Sequence, residues 1–552
     1  MQPLISAPDH PAWPAFLTFL QRAAQAQQNG QAEARAIWLE AAGHLQDFGN
    51  EGIGRVTLAL IEQRRHDEAI ALAAIIAQLH PADASASFRL GYALQMANRH
   101  GEALAPYRHA LALDPRLPQL RTNLAGALTL SGGSVAEQVT LLESAVAADP
   151  LDSNGWTNLT QASRFAMNLP RALAAGARAV ELAPHSALAL NNHALALREA
   201  QRWDEALQFA QAACQHAPDD PTMRSNLAML HLVRGEYAHG WPAHEARWQG
   251  SKELGGKRPA MPAPQWRGEP LAGKTLLVWG EQGMGDLLQC CRYIPLLGEH
   301  VHAQGGRLLW NSFPQMGELL VRSLARHVDG YSAGGGVETL PAFDYEIPLM
   351  SVPLALGTLG DTLAGTVPYL HADAAARAAW RARLAADEQL KRPREKRLKV
   401  GLAWTGSLGH QRNPFRAVGW ERYASAFAGI GGVTFYSLQP GAAADVAAAQ
   451  IAGLTIEDYT AELTSFDDTA AFVGALDLVI TVCTSVAHLS GAIGQRTWVL
   501  LDVNPHWTWL LERRDSPWYP EATLYRQRGF GEWKPVLDEV ARDLDTLAGQ
   551  HR

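Results

Sequence analysis

A chain of 552 residues is too long for one hydrophobic core, and about two to four domains are expected. Hydrophobic residues at 47% and charged residues at 18% describe a globular protein. The net charge of −8, with no broad basic face, argues against general nucleic-acid binding. Cys214, Cys290, Cys291 and Cys483 form no CxxC pair, so neither a disulfide framework nor a structural zinc site is indicated. The N-terminal residues lack the basic start and apolar core of a signal peptide, and no apolar run reaches membrane-spanning length; a cytoplasmic location is therefore expected.

The first half carries a period. Pro81, Pro115, Pro150, Pro184 and Pro218 recur at spacings of 34 or 35 residues, each closing a helical stretch. Small residues keep phase with them. Ala110, Ala145, Ala179 and Ala213 stand five residues upstream, and Ala69, Ala103, Ala172 and Ala206 stand twelve upstream. This resembles the tetratricopeptide repeat, two antiparallel helices per unit with small residues where the helices touch. Leu90, Gly91, Ala103, Tyr107, Ala110 and Pro115 carry the best single match. The pattern covers residues 50–250, with weaker helical pairs expected from Pro14 onward. The run Ser131-Gly-Gly-Ser134 supplies the extra residue of the one 35-residue period, which is expected to lengthen an inter-helix turn. Residues 235–248 leave the pattern and carry Trp241 and Trp248, reading as a cap that docks the array onto the C-terminal half. Such an array offers a groove for a peptide or protein, or acts as a spacer.

Residues 251–273 are rich in Gly and Pro and form a linker. From residue 274 strands alternate with helices. Residues 274–279 read as a buried strand, followed by Gly280-Glu-Gln-Gly-Met-Gly285 and a helical run through Leu287, Leu288, Cys291, Ile294 and Leu297. Strand, glycine turn and helix form the first half of a βαβ unit, and its turn suits an anionic group. Asp286 stands at the helix start, as an N-cap, as a general base facing a cleft, or as both. Residues 306–311 read as a strand, 315–327 as a helix, 344–347 as lying near a strand, and 374–390 as a helix ending at the basic run 391–399. A second lobe begins at 398–404, with strands over 434–438, 477–482 and 496–501. Residues 274–390 and 398–552 are thus expected to be two α/β lobes with a ligand cleft facing their strand C-termini. Thr484 and Ser485 place hydroxyls at a second helix start, after the strand ending at Val482.

GEQGMGD at 280–286 and TVCTSVAHLSGAIG at 481–494 resemble the two signature regions of the ADP-heptosyltransferase family, glycosyltransferase family nine. GLAWTGS, YSLQPG, FDDTAAFVGALDLVIT and SPWYPEATLYRQ resemble the subset in which that domain follows tetratricopeptide repeats. The resemblance covers residues 265–545. It implies an α-solenoid followed by a GT-B fold of two Rossmann-like lobes, acceptor side first and nucleotide-sugar side second. It also implies inverting sugar transfer without a metal ion or other cofactor. Asp286 matches the family's base, and Glu281, Gln282, Gly283 and Gly285 its acceptor-side loop. Thr405, Gly406, Arg416, Gln439, Cys483, Thr484, Ser485 and His488 would bind the donor. The departing diphosphate needs positive potential, from the amides of residues 484–487, from Arg416 or from the turn Thr405-Gly406. His488 would orient a phosphate or hydroxyl, or else pack behind the loop. Cys483 and Thr508 depart from the family, which usually has Asp and Arg there, and a thiol replaces a carboxylate poorly as a partner for sugar hydroxyls.

The leading expectation is a glycosyltransferase moving a sugar from a nucleotide-diphosphate donor to a protein or glycan acceptor, with no nucleic acid and no membrane span. The alternatives are a repeat scaffold with a degenerate transferase domain, and an epimerase-like enzyme acting on the free donor.

Overall fold

The computed structural model describes residues 18–551, apart from positions 20, 21, 24, 27, 28, 30–32, 46–48, 257, 282, 359–365 and 392–395. Pro14, Gln282 and residues 392–395 of the basic run therefore lie outside the described residues. The chain divides into two compact units, Met1–Ala196 and Leu197–Arg552.

The first unit is a stack of tetratricopeptide-like helical hairpins. Ala84–Met96 pairs with His100–Leu113, Leu120–Leu130 with Val135–Ala148, and Ser153–Phe165 with Leu169–Leu182. Local chemistry fixes the helix starts. Asp83, Ser134, Asp152 and Asn168 each accept a hydrogen bond from a free amide of the helix they precede. Each hairpin turn contains a residue in the left-handed region: Arg64, Asn98, Gly132 and Met167. The turn after Leu130 has four residues, 131–134, where its neighbours have three, so the extra residue is absorbed without disturbing the stack.

Small residues sit where helices meet. Ala69, Ala103, Ala110 and Ala172 are fully buried. A Cβ on Gly91 would lie 2.6 Å from the Tyr107 ring. That ring is fully buried, and its hydroxyl donates to Gln95 Oε1 at 2.6 Å, so it cannot yield. Gly91→Val is expected to cost about 1–3 kcal/mol by overpacking, read as a lower denaturant midpoint of the first unit.

The second unit opens with three more helices, Trp203–His216, Pro221–Val233 and Tyr237–His244, then the short Arg247–Gly250. Their repeat turns keep the same left-handed geometry at Gln201 and Gly235. The sequence period runs to residue 250, but these helices are compact with the α/β body. Trp241 packs edge-on against Trp507 at 5.2 Å, and the Tyr237 hydroxyl accepts from Trp518 Nε1. Trp248 lies 5.5 Å from Trp279. Arg247 forms a buried ion pair with Glu281, both bonds 2.8 Å.

Two wholly parallel sheets make the α/β body. The first contains β1 (Thr275–Trp279), β2 (Arg307–Ser312), β3 (Gly330–Ala333) and β4 (Tyr345–Pro348), in the order β3-β2-β1-β4. The second contains β5 (Leu398–Ala403), β6 (Val433–Ser437), β7 (Ile456–Glu457), β8 (Leu478–Val482), β9 (Thr497–Leu501) and β10 (Ala522–Arg526), in the order β10-β9-β8-β5-β6-β7. Central strands β6, β8 and β9 are buried at every residue, as parallel strands covered on both faces require. The expected helix over residues 315–327 is broken into 3₁₀ turns around the helix Leu319–Leu324. Gly317, at φ +56°, interrupts it. No helix among the described residues is long and apolar enough to cross a membrane.

Candidate functional site

The C-terminal ends of β1 and β8 each lead into a short helix, Met284–Cys290 and Ser485–Ala492, and these two helices pack on one another. They meet closely: a Cβ on Gly285 would lie 3.0 Å from the His488 ring and 3.7 Å from Ser485 Cα. A larger residue at 285 would have to push the His488 ring aside by a few tenths of an ångström. The two turns singled out in the sequence, about 200 residues apart, therefore border one site.

Asp286 stands in the first turn of its helix. Gly283, and not Asp286, occupies the cap position, at φ +103°. Asp286 Oδ2 lies where a Cβ on Gly283 would be, so only glycine leaves room for this carboxyl. Its side chain keeps 31% exposure. Burial pushes its pKa up to about 7, and the Glu281 charge adds to that; Arg247 and Arg416 act against it. A carboxyl poised near neutrality is suited to general-base work.

The donor-side candidates fall into two clusters. At the end of β5, the Thr405 amide donates to Gln439 Oε1 at 3.2 Å, and Asn413 Nδ2 donates to Thr405 Oγ1 at 3.0 Å. Asn413 Oδ1 accepts from the Gly406 amide at 3.0 Å and from Arg416 Nε at 3.5 Å. A Cβ on Gly406 would be 2.5 Å from the Arg416 guanidinium, so this glycine also admits a close contact. The charge of Arg416 reaches Asp286, Cys483 and His488.

At the end of β8, Thr484 is the cap residue of its helix, yet its side chain makes no cap hydrogen bond. Thr484 and Ser485 remain partly exposed at the helix start, and of the amides expected to face a diphosphate that of Ala487 already donates to the Thr484 carbonyl at 3.0 Å. Cys483 is buried, and Trp509 Nε1 donates to its sulfur at 3.2 Å. Burial pushes the thiol up, although Arg416 and Trp509 pull the other way. It is a packed thiol, not an ionised group.

His488 takes the packing alternative. It is 4% exposed, lies 3.0 Å by Nδ1 from the Tyr519 hydroxyl, and stacks on Trp509 at 5.4 Å. Burial and then Arg416 push it down to about 3, so it is neutral.

Glu281 does not face the gap. It is 4% exposed, and its oxygens accept from Arg247 and from the Met350 amide. It anchors the Arg247–Gly250 helix instead of offering an acceptor contact.

Residues passed over in the sequence complete the picture. His506 Nε2 lies 3.8 Å from Asp286 Oδ1. Asp502, at the end of β9, accepts from Arg412 at 2.5 Å, and Arg412 also donates to Glu199 at 2.7 Å. Beyond Asp502 a cavity of about 280 Å³ opens at the ends of β9 and β10, lined in part by Trp203, Pro505, Arg526 and Gln527. In the sequence only Thr508, a departure from the family pattern, drew attention to this stretch, and that His506 reaches Asp286 depends on tertiary contact. Among the described residues no group of three or more His, Cys, Asp or Glu side chains is arranged to hold a metal ion.

No family model matches the chain. Protein FlbA of Caulobacter vibrioides is 26% identical over 558 residues, spanning 96% of this chain and 89% of that protein. Among solved structures, Pseudomonas aeruginosa PilF is 18% identical over 37% of this chain and 92% of its own, with a TM-score of 0.32. The Thermus thermophilus protein TTC0263, described as a thermophilic TPR protein, is 24% identical over 31% of this chain and 94% of its own, with a TM-score of 0.28. The repeat architecture rests on the helices and turns described above.

Proposed function

We propose that this chain is a metal-independent, inverting glycosyltransferase of the GT-B class, using a nucleotide-diphosphate sugar and a protein or glycan hydroxyl as acceptor. The observation that carries the reading is Asp286: a half-buried carboxyl with its pKa raised to about 7, on the helix after β1 that packs against the helix after β8. Across from it lie the uncapped helix start at Thr484 and Ser485 and the cation Arg416. Asp286 takes the acceptor proton as the acceptor oxygen attacks the sugar carbon. The helix amides and Arg416 then receive the diphosphate, supplying the positive potential its departure needs.

A scaffold reading draws on one observation, the packing of Cys483 under Trp509 where the family resemblance leads one to expect a carboxylate for the sugar. A thermal-shift panel of nucleotide-diphosphate sugars separates the two. A true donor at 100 times its Kd is expected to stabilise the protein by about 2.7 kcal/mol. Absence of a shift with every donor in the panel would favour the scaffold.

A further inference from the structure

A chain of polar side chains leads away from Asp286 and has no part in the steps above. His506 Nε2 lies 3.8 Å from Asp286 Oδ1, and its Nδ1 lies 2.8 Å from Thr508 Oγ1. Thr508 in turn donates to Gln289 Oε1 at 2.9 Å. Thr508 and Gln289 are both fully buried, so water does not compete for the bond between them.

With the Gln289 amide oxygen turned toward Thr508, and its Nε2 buried without a partner, the proton count along the chain sets its polarity. A threonine hydroxyl has one proton, and here it goes to Gln289. Thr508 Oγ1 therefore accepts from His506, and Nδ1 carries the imidazole proton. A neutral imidazole has only one, which leaves a lone pair on Nε2 facing Asp286. The ring stays neutral: burial first, then His488, His410 and Arg416, all oppose a second proton. Asp286 itself is faced by Glu281, Glu253, Arg247 and Arg416.

We infer that Gln289, Thr508 and His506 form a positioning chain that fixes the His506 tautomer, so that Nε2 accepts a hydrogen bond from the proton Asp286 takes from the acceptor. The inference rests on Asp286 being the base. During transfer the acceptor O–H bond breaks and its oxygen bonds to the sugar carbon. The carbon–oxygen bond to the diphosphate breaks, and the diphosphate leaves with the electron pair. The proton remains on Asp286 Oδ1, hydrogen-bonded to Nε2, until water removes it after product release. A bare Nε2 stabilises the carboxylic acid and repels the carboxylate, which makes Asp286 a stronger base. At 3.8 Å the pair is longer than a hydrogen bond, and it tightens when the acid forms.

The test combines ¹⁵N-histidine NMR, which reads the tautomer without turnover, with the pH profile of kcat. In the full-length wild type, His506 Nε2 is expected to be unprotonated and Nδ1 protonated. Gln289→Met removes the acceptor and frees the Thr508 hydroxyl to donate to Nδ1. The tautomer then inverts, and Nε2–H favours the Asp286 carboxylate. The acidic limb of the kcat profile is expected to move down by about one pH unit, the size of one net hydrogen bond. Thr508→Ser should behave as wild type. Thr508→Val, which removes the link altogether, should lose the fixed tautomer and serves if Gln289→Met fails to fold. A protonated Nε2 in the wild type, or a tautomer unchanged in both Gln289→Met and Thr508→Val, overturns the chain. If instead Asp286→Asn turns over as fast as wild type, the base assignment fails while the tautomer result stands by itself.

Discussion

Replacing Asp286 by Asn is expected to lower kcat by about 10²–10⁴-fold while leaving donor binding in place. Asn keeps the size and polarity of the side chain, so the space that Gly283 leaves for it stays filled. The diphosphate contacts proposed at Thr484, Ser485 and Arg416 are untouched, and the donor Kd should change little. What disappears is the proton acceptor. The same substitution has an opposite effect on stability. In the unfolded chain an aspartate loses its proton near its ordinary value of 3.8, whereas Asp286 in the folded chain holds it to about 7. Between those values the folded state binds more protons, so this residue's contribution to stability is full at low pH and is lost as the pH rises through 7. Asp286→Asn should therefore match wild type below pH 4 and be more stable than wild type at pH 8. Equilibrium unfolding at the two pH values, set beside steady-state kinetics, checks both halves. A variant that is both slow and equally destabilised at all pH values would indicate a merely structural role.

The second large effect is expected at Arg412, which no sequence motif marked. Its guanidinium joins Glu199, at the end of the helix Ala187–Glu199, to Asp502 at the end of β9. Both carboxylates are buried, and Asn504 adds a donor to Glu199 at 3.4 Å. Taking charges out of water is repaid only by a close partner, so removing one member strands the others. Arg412→Leu is expected to cost the second unit about 3–5 kcal/mol, read as a fall in the denaturant midpoint. The stranded carboxylates would hold protons more tightly when folded than when unfolded. The deficit should therefore be larger at pH 8 than at pH 5. The triple variant Arg412→Leu, Glu199→Leu, Asp502→Leu should recover much of the loss, since no buried charge is then left unpaired. If Arg412→Leu is neutral, the network contributes no more than a surface pair.

How much the sequence discloses depends on how local the cause is. The repeat period is legible because each hairpin solves the same packing problem with the same residues, such as Ala103 against its partner helix or Asp152 at a helix start. Strands β1, β5, β6, β8 and β9 are legible because burial on both faces makes them continuous apolar runs. β3, Gly330–Ala333, has no such signal: it is an edge strand and largely half-exposed. The break at Gly317 was invisible for a different reason, since apolar spacing on either side matches a helix. Within the site, Asp286, Thr484 and Ser485 stood out because each comes after a strand and begins a helix. His506, Gln289 and Arg412 did not. Their roles depend on partners far away in sequence, Gln289 to Thr508 being 219 residues apart. Even the compact division at Ala196–Leu197 has this character: the period runs on to residue 250, but Trp241 on Trp507 and Arg247 on Glu281 tie the last helices to the α/β body.

The central claim is that a diphosphate leaving group sits between Asp286 and the helix start at Thr484. Its most direct test is a structure of the Asp286→Asn variant with a nucleotide-diphosphate sugar that stabilises it. The account predicts the phosphates on the amides of residues 484–486 and the Arg416 guanidinium, with the sugar carbon turned toward residue 286. A donor bound elsewhere, or with its sugar turned away from that position, would contradict it.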